Sequence, residues 1–339
     1  MPSHKQQFLV WTIVILSALA IGGYFYMRTG RDHKPLSPPE KILIAYSATP
    51  NSALIEVAKT QDFYRQEGLE ATLQVHSHGK TALQAVLEGK ADFATVAETP
   101  FMFAVMKGEK ISIIGSIEIS NNNIAVVARK DKGVLIPTDL KGKRIAMTPG
   151  TSSDFFMDGF LVSHGLRRKD IKVVDLKPEA TPESLLKGEV DAASIFNPYL
   201  IQVKKKLGAG GVTFCDEDIY SQTFNVVAKR EFILKEPGKV KKILRALIRA
   251  EEFVKQNPGE AQRIVADFCR LDIALVREIW PGTDFTVGLD QSLLLALEDE
   301  SRWAINSGLT EKRIVPNYLD FICLDNLMAV KPKAVRILK

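Results

Sequence analysis

The chain predicts an α/β fold of two structurally parallel halves, each an open mixed sheet flanked by helices, with an N-terminal membrane helix ahead of them. Three observations lead there. From Lys41 onward short β-rich runs alternate with helical ones, which is the pattern of βαβ units and a sheet with parallel strands. The phrase LEGKADFATVAETP at 87–100 returns as LKGEVDAASIFNP at 186–198, so a helix, a glycine stop, a strand and a turn into another helix occur twice. Phe8 to Met27 carry no charge, a stretch long enough to cross a bilayer.

In the first half, KILIAY (41–46) is a strand, and Leu54, Val57, Ala58 and Phe63 fall at helical spacing after it. LEATLQV (69–75) is the next strand, a short helix with Leu83, Val86 and Leu87 ends at Gly89, and DFATVA (92–97) is a third strand. The second half repeats the order: RIAMT (144–148), a helix over 152–164, IKVVDL (171–176), a short helix over 182–187 ending at Gly188, and DAASIF (191–196). Gly89, Asp92, Gly188 and Asp191 are then turn and strand-start residues rather than catalytic carboxylates. NNIAVVARK (122–130) and TFNVVAKRE (223–231) read as crossings between the halves. Two crossings make the first lobe discontinuous: 41–125 with 228–339, against 126–227 for the second. The apolar stripes Val240, Ile243, Leu244, Leu247, Val254 and Leu289, Leu293, Leu297, Ala304 are core faces of helices.

The amino terminus divides into an apolar segment within 1–30 and a polar, proline-bearing linker over 31–40. The segment is either an uncleaved anchor or a cleaved signal peptide with an Ala18-x-Ala20 site; both imply export. Lys5, Arg28, Arg31 and Lys34 stand against Asp32, so most of the formal charge of +5 lies here. The remainder is near neutral, which argues against a nucleic-acid face. Cys215, Cys269 and Cys323 lack any C-x-x-C spacing, so no zinc site and no disulfide framework is suggested, although one bridged pair stays open. No Gly-x-Ser-x-Gly elbow, phosphate loop or His-Glu-x-x-His occurs. His76-x-His78 share a strand face but lack a third ligand, so no metal or cofactor is expected.

The segments AKTQDFYRQEGLEATL, LEGKADFATVAETP, DLKGKRIAMTPGTSSDFFM, LLKGEVDAASIFNPY and VPNYLDFICLDNL, in that order over roughly 41–335, resemble the type II periplasmic solute-binding proteins. The branch is the one serving nitrate, sulfonate, taurine and thiamine-precursor importers. Gln61-Asp62, where that family usually has a glycine before the aromatic pair, is a departure. The resemblance implies the type II periplasmic-binding-protein fold: a monomer that clasps a small polar or heteroaromatic molecule between two lobes and delivers it to an ABC permease and its ATPase, without catalysis. Alternatives are a membrane-tethered sensory receptor, and an enzyme of the same fold in thiamine-pyrimidine or menaquinone synthesis. The isolated cysteines and the export signal speak against the enzymes.

Candidate contacts sit at carboxyl ends of strands and at helix starts, where open α/β sheets place ligands. TPGTSSDFF puts Gly150, Thr151 and Ser152 between a strand and a helix, either as ligand donors or as a cap with Asp154. SHGKTA is the matching junction, with His78, Gly79 and Lys80; an exposed lysine is the plainer reading of the last. The loop YSATPNS offers Tyr46, Thr49 and Asn51, and the resemblance implies that it lines the cleft. Glu98 and Thr99 after one repeated strand, and Phe196 and Asn197 after the other, face each other across the cleft on this reading. Asn121 to Asn123 lie at the first crossing, where amides either bind ligand or hold the hinge, and Phe155 is one of two adjacent aromatics of which one points inward.

Overall fold

In a computed structural model of the chain, residues 38–216 and 218–338 are described. The apolar segment at Phe8–Met27 lies outside them; among the described residues no helix is long and apolar enough to cross a membrane.

Two sheets carry the molecule. In the first, β1 (Glu40–Ser47) pairs in parallel with β2 (Leu69–His76) and β3 (Phe93–Ala97). In the second, β6 (Arg144–Met147) pairs in parallel with β7 (Lys172–Asp175) and β8 (Ala192–Phe196). Each parallel trio is extended by strands running the other way or returning. The remaining strands of these two sheets are β4 (Ile111–Ser120), β5 (Ile124–Arg129), β9 (Gly211–Phe214), β10 (Gln222–Lys229) and the short β11 (Thr283–Asp284), and a separate two-stranded sheet pairs β12 (Leu289–Asp290) with β13 (Val335–Arg336). The six-stranded order is β11-β4-β10-β3-β1-β2 and the five-stranded order is β7-β6-β8-β5-β9.

The symmetry lies in the crossings. β4 ends in the first sheet and the chain passes through 121–123 to β5, which inserts antiparallel between β8 and β9 of the second. β9 ends in the second sheet and the chain returns to β10, which inserts antiparallel between β3 and β4 of the first. Each half thus holds a strand delivered from the other. The return is complete earlier than the expected division at 227/228, because Gln222 already pairs with Ser120 and Phe224 with Ala97.

The repeated phrase has a repeated physical role. Gly89 and Gly188 close their helices at φ 72° and 75°, left-handed backbone that glycine adopts without a Cβ penalty. Three residues on, Asp92 Oδ2 accepts from Leu43 N (2.8 Å) and Asp191 Oδ2 accepts from Arg144 N (2.8 Å). Each carboxylate satisfies the backbone of the neighbouring parallel strand where its ladder begins, so the turn and strand-start reading holds.

Three apolar clusters follow from this layout. The first sheet is sandwiched by helices including Pro237–Gln256, which buries Val240, Ile243, Leu244, Leu247 and Val254, and Gln291–Asn306, which buries Leu293, Leu297 and Ala304. The second sheet packs on both faces, and β5 shows it by alternation: Ile124, Val126 and Ala128 enter one cluster, Ala125 and Val127 the other.

Candidate functional site

A cleft opens where the carboxyl ends of both parallel trios meet the crossings. Non-atom space in it amounts to about 440 Å³, part of it open to solvent. Two helix starts face into it from opposite halves. Gly79 and Lys80 open the Gly79–Leu87 helix after β2, and Thr151 and Ser152 open the Ser152–Ser163 helix after β6. A helix leaves its first-turn amides without intrahelical partners and concentrates positive potential there.

At both starts the side chains leave those amides alone. Thr151 does not cap its helix: its Oγ1 donates backward to Thr148 O (2.7 Å) and lies 3.0 Å from Ser153 Oγ. Asp154 is drawn away as well, accepting from Gly150 N (2.8 Å) and from Arg168 Nη1 (2.7 Å). His78 precedes the other helix in extended backbone, with its Nδ1 3.0 Å from Thr81 Oγ1. Burial pushes the imidazole below its ordinary pKa, so it stands neutral beside the cleft.

Lys80 adds a cation. The side chain is exposed, as the plainer reading has it, and its Nζ donates to Pro149 O of the other half (2.9 Å). Desolvation of the ammonium, with Lys107 nearby, lowers its pKa. Ser47, Thr49 and Asn51 line the wall beyond β1, with Ser47 Oγ and Thr49 Oγ1 3.1 Å apart. Phe196 at the end of β8 and Phe224 on β10 supply the apolar surface.

The crossings bind the halves at the cleft floor. Gln222 Nε2 donates to Ser152 Oγ (2.7 Å), while its Oε1 accepts from Asn123 Nδ2 (2.5 Å). One side chain therefore touches both crossings and a helix start of the second half. Sequence reasoning missed Gln222, Ser47, Ala97 and Phe224 as lining residues. Of the run Asn121 to Asn123, whose amides were expected either to bind ligand or to hold the hinge, Asn123 lines the cleft and Asn121 does not.

Several expected contacts lie elsewhere. Asn121 is exposed on the turn between β4 and β5. Tyr46 points to the opposite face of β1 from Ser47, where its hydroxyl bonds Glu56 and its ring packs 6.5 Å from Phe268. Glu98 does not face the cleft: it is fully buried, bonded by the Tyr220 hydroxyl, by Thr223 N (2.9 Å) and by Thr223 Oγ1 (3.0 Å). It anchors the returning crossing, and burial pushes its carboxyl up to about 8. Thr99 donates to buried Glu300 (2.5 Å), beneath the Gln291–Asn306 helix. Phe155 packs on Tyr220 (5.3 Å) and Trp303 (5.2 Å), outside the cleft. Gly150 lies on the rim, in an adjoining groove shared with Lys80. Asn197 lines a second chamber behind the first.

Comparison with known proteins finds relatives over most of the chain. A Bacillus subtilis (strain 168) protein named for binding aliphatic sulfonates is 26% identical over 277 residues, 81% of each chain. The crystal structure of the periplasmic aliphatic sulphonate binding protein from Escherichia coli superposes with a TM-score of 0.72 at 20% identity, covering 84% of this chain and 97% of that one. An enzyme is similar too: the 4-amino-5-hydroxymethyl-2-methylpyrimidine phosphate synthase of Schizosaccharomyces pombe is 24% identical over 225 residues, 60% of this chain and 62% of that one. Residues 49–261, which run from the Thr49 loop through both crossings and both helix starts, match the NMT1/THI5-like family, and the chain belongs to it.

Proposed function

We propose that this protein is the extracytoplasmic solute-binding component of an ABC importer, capturing a small anionic molecule, with sulfonates foremost, in the cleft between its halves. One observation carries the reading. Two helix starts from opposite halves, at Gly79-Lys80 and Thr151-Ser152, converge on a single cleft with their first-turn amides uncapped by side chains and an ammonium between them. Oriented N–H groups at helix starts favour a negative group, and here neither half completes the arrangement alone. An anion bound there contacts both halves at once and so stabilises the closed form over an open one.

The lobes on this reading are residues 40–120 with 222–338, and 124–214. The chain binds and releases its ligand without turnover, as a monomer, and its closed form docks on a permease. The uncharged run at Phe8–Met27 supports export and a periplasmic location, whether as anchor or as cleaved signal. Names of the similar sulfonate-binding proteins support the ligand class.

Calorimetry of the full-length chain in detergent against ethanesulfonate, nitrate and an aminopyrimidine tests the proposal. A saturable signal with a sulfonate or nitrate that is abolished in Lys80→Ala supports it. Binding of the aminopyrimidine alone would move the protein toward the synthase-like relatives.

A further inference from the structure

A smaller chamber lies behind the cleft, with about 260 Å³ of non-atom space, part of it open to solvent. Asn51 and Asn123 belong to both, and Trp280 and Phe285 roof the smaller one. Two acceptors from opposite halves line it. Asn197, from the second half and 5% exposed, is fixed by its backbone N, which donates to Asn123 O (3.0 Å), yet its Oδ1 has no hydrogen-bond partner. Glu118, from β4 of the first half and 1% exposed, accepts from Asn51 Nδ2 through Oε2 (3.1 Å). Among the described residues no hydrogen bond reaches its Oε1 and no cation pairs with it. The ionisable groups that act on Glu118 are themselves acids: Glu98, at the start of the helix after β3, and Asp284 on β11. Opposite it on β10 stands Phe224, and the second half presents only the uncharged Asn197 to the chamber.

A buried acceptor without a donor is costly, and a buried carboxylate without a cation is costlier. One proton answers both. On Glu118 it removes the charge and turns an acceptor into an O–H donor, which Asn197 Oδ1 lacks and can receive directly or through one water. We propose that closing of the halves takes up one proton from solvent at Glu118, so that ligand capture is coupled to proton binding and a Glu118–Asn197 hydrogen bond holds the closed form. When the halves part, Asn197 leaves and water reaches the carboxyl, which then gives up its proton in the ordinary carboxylate range. In the closed form burial keeps the proton to higher pH, with Glu98 and Asp284 adding to the effect. The closed form therefore gains over the open one at low pH, and the gain is lost as pH rises toward and through about 8. The inference rests on the reading of two halves that close over an anion.

Calorimetry with ethanesulfonate on the full-length chain in detergent tests it, run at pH 7.5 in phosphate and in Tris, whose ionisation enthalpies differ. The difference in observed heat should report uptake of about half to one proton per ligand bound. Affinity should fall about tenfold or more from pH 6 to pH 8. Glu118→Gln supplies a permanent donor, so its uptake should vanish and its affinity should stay within about threefold over the same range. Circular dichroism establishes that the variant is folded. Asn197→Asp sets two carboxyls face to face that share a proton, so it should move the fall to higher pH, and it carries the test if the first variant does not fold. No uptake, or the same uptake in folded Glu118→Gln, overturns the inference and leaves anion capture standing; a fall that stays in place in Asn197→Asp does likewise. If ethanesulfonate does not bind, the anion reading falls, and small-angle scattering of the ligand-free chain decides the rest. A radius of gyration that grows from pH 6 to pH 9 in the unaltered protein and not in Glu118→Gln supports proton-held closure, and equal radii overturn it.

Discussion

Gly79 occupies a position where a Cβ would be crowded against backbone. A Cβ there would lie 3.0 Å from Val96 Cα and 3.1 Å from Thr95 O, both backbone atoms of β3 that cannot swing aside. The glycine lets the helix start approach the sheet closely enough to aim its amides into the cleft. Gly79→Ala is therefore expected to cost about 1–3 kcal/mol of stability by overpacking, and to weaken anion binding beyond what the stability loss explains. A thermal melt paired with calorimetry checks both; a variant with unchanged affinity would refute the link to the site. Buried carboxyls act at the same scale. Burial pushes Glu118 up to about 8, with Glu98 and Asp284 adding to the rise. Its folded pKa lies above its unfolded one, so the fold holds a proton that the unfolded chain gives up near the ordinary carboxylate range. The stability this contributes is full at low pH and is lost as pH rises from about 4.5 through about 8. Melting temperature should fall across that window, and Glu118→Gln should flatten the fall; parallel profiles for the two proteins would contradict this. Glu98 and Glu118 also show where sequence falls short. Glu98 follows a repeated strand and so looks like a cleft residue, but the helix begins at Glu98 itself and turns the carboxylate toward Thr223, 125 positions on. A contact that distant leaves no local pattern.

Among the elements, the legible ones were those with their own punctuation. Both βαβ trios could be read because each helix ends in a glycine and each strand alternates with a helical period, and the repeated phrase located the equivalent turns. β4 was missed: Ser116-Ile117-Glu118-Ile119-Ser120 alternates, but the strand is buried almost throughout, its polar members included, so the pattern marks no solvent face. The crossings were seen as runs but not as swapped strands, because pairing β10 between β3 and β4 depends on residues more than a hundred positions away. That missing fact hid Gln222. As the first residue of β10 it is fixed by the ladder to Ser120, and from there its amide reaches Asn123 and Ser152. Gln222→Ala removes two hydrogen bonds of about 1 kcal/mol each and frees the helix start from the crossings. A roughly tenfold loss of ligand affinity is expected, with β-strand content by circular dichroism unchanged. Affinity equal to that of the unaltered protein would show that Ser152 needs no such support.

At the scale of the molecule, the halves touch at a second place, away from the cleft. Trp303 on the Gln291–Asn306 helix donates Nε1 to Asp158 Oδ2 (2.8 Å) on the Ser152–Ser163 helix, and its ring packs 5.2 Å from Phe155 and 5.8 Å from Phe103. Asp158 is shared with Arg168 Nη1 (3.0 Å), so the acceptor is charged and held in place. A hydrogen bond to a charged partner contributes about 1.5–3 kcal/mol, and this one is made only while the halves are together. Trp303→Phe keeps most of the ring packing and deletes the donor, so the two states separate cleanly in a difference measurement. The closed population should fall relative to the open one by about tenfold or more. In ligand-free protein, small-angle scattering should report a larger radius of gyration for the variant, and saturating sulfonate should restore the compact profile. Apparent affinity should drop by the same factor that closure loses, because a ligand that contacts both halves must first draw them together. The unaltered protein and the variant giving superimposable profiles with and without ligand would mean that the halves do not part, and the cleft would then have to fill by another route.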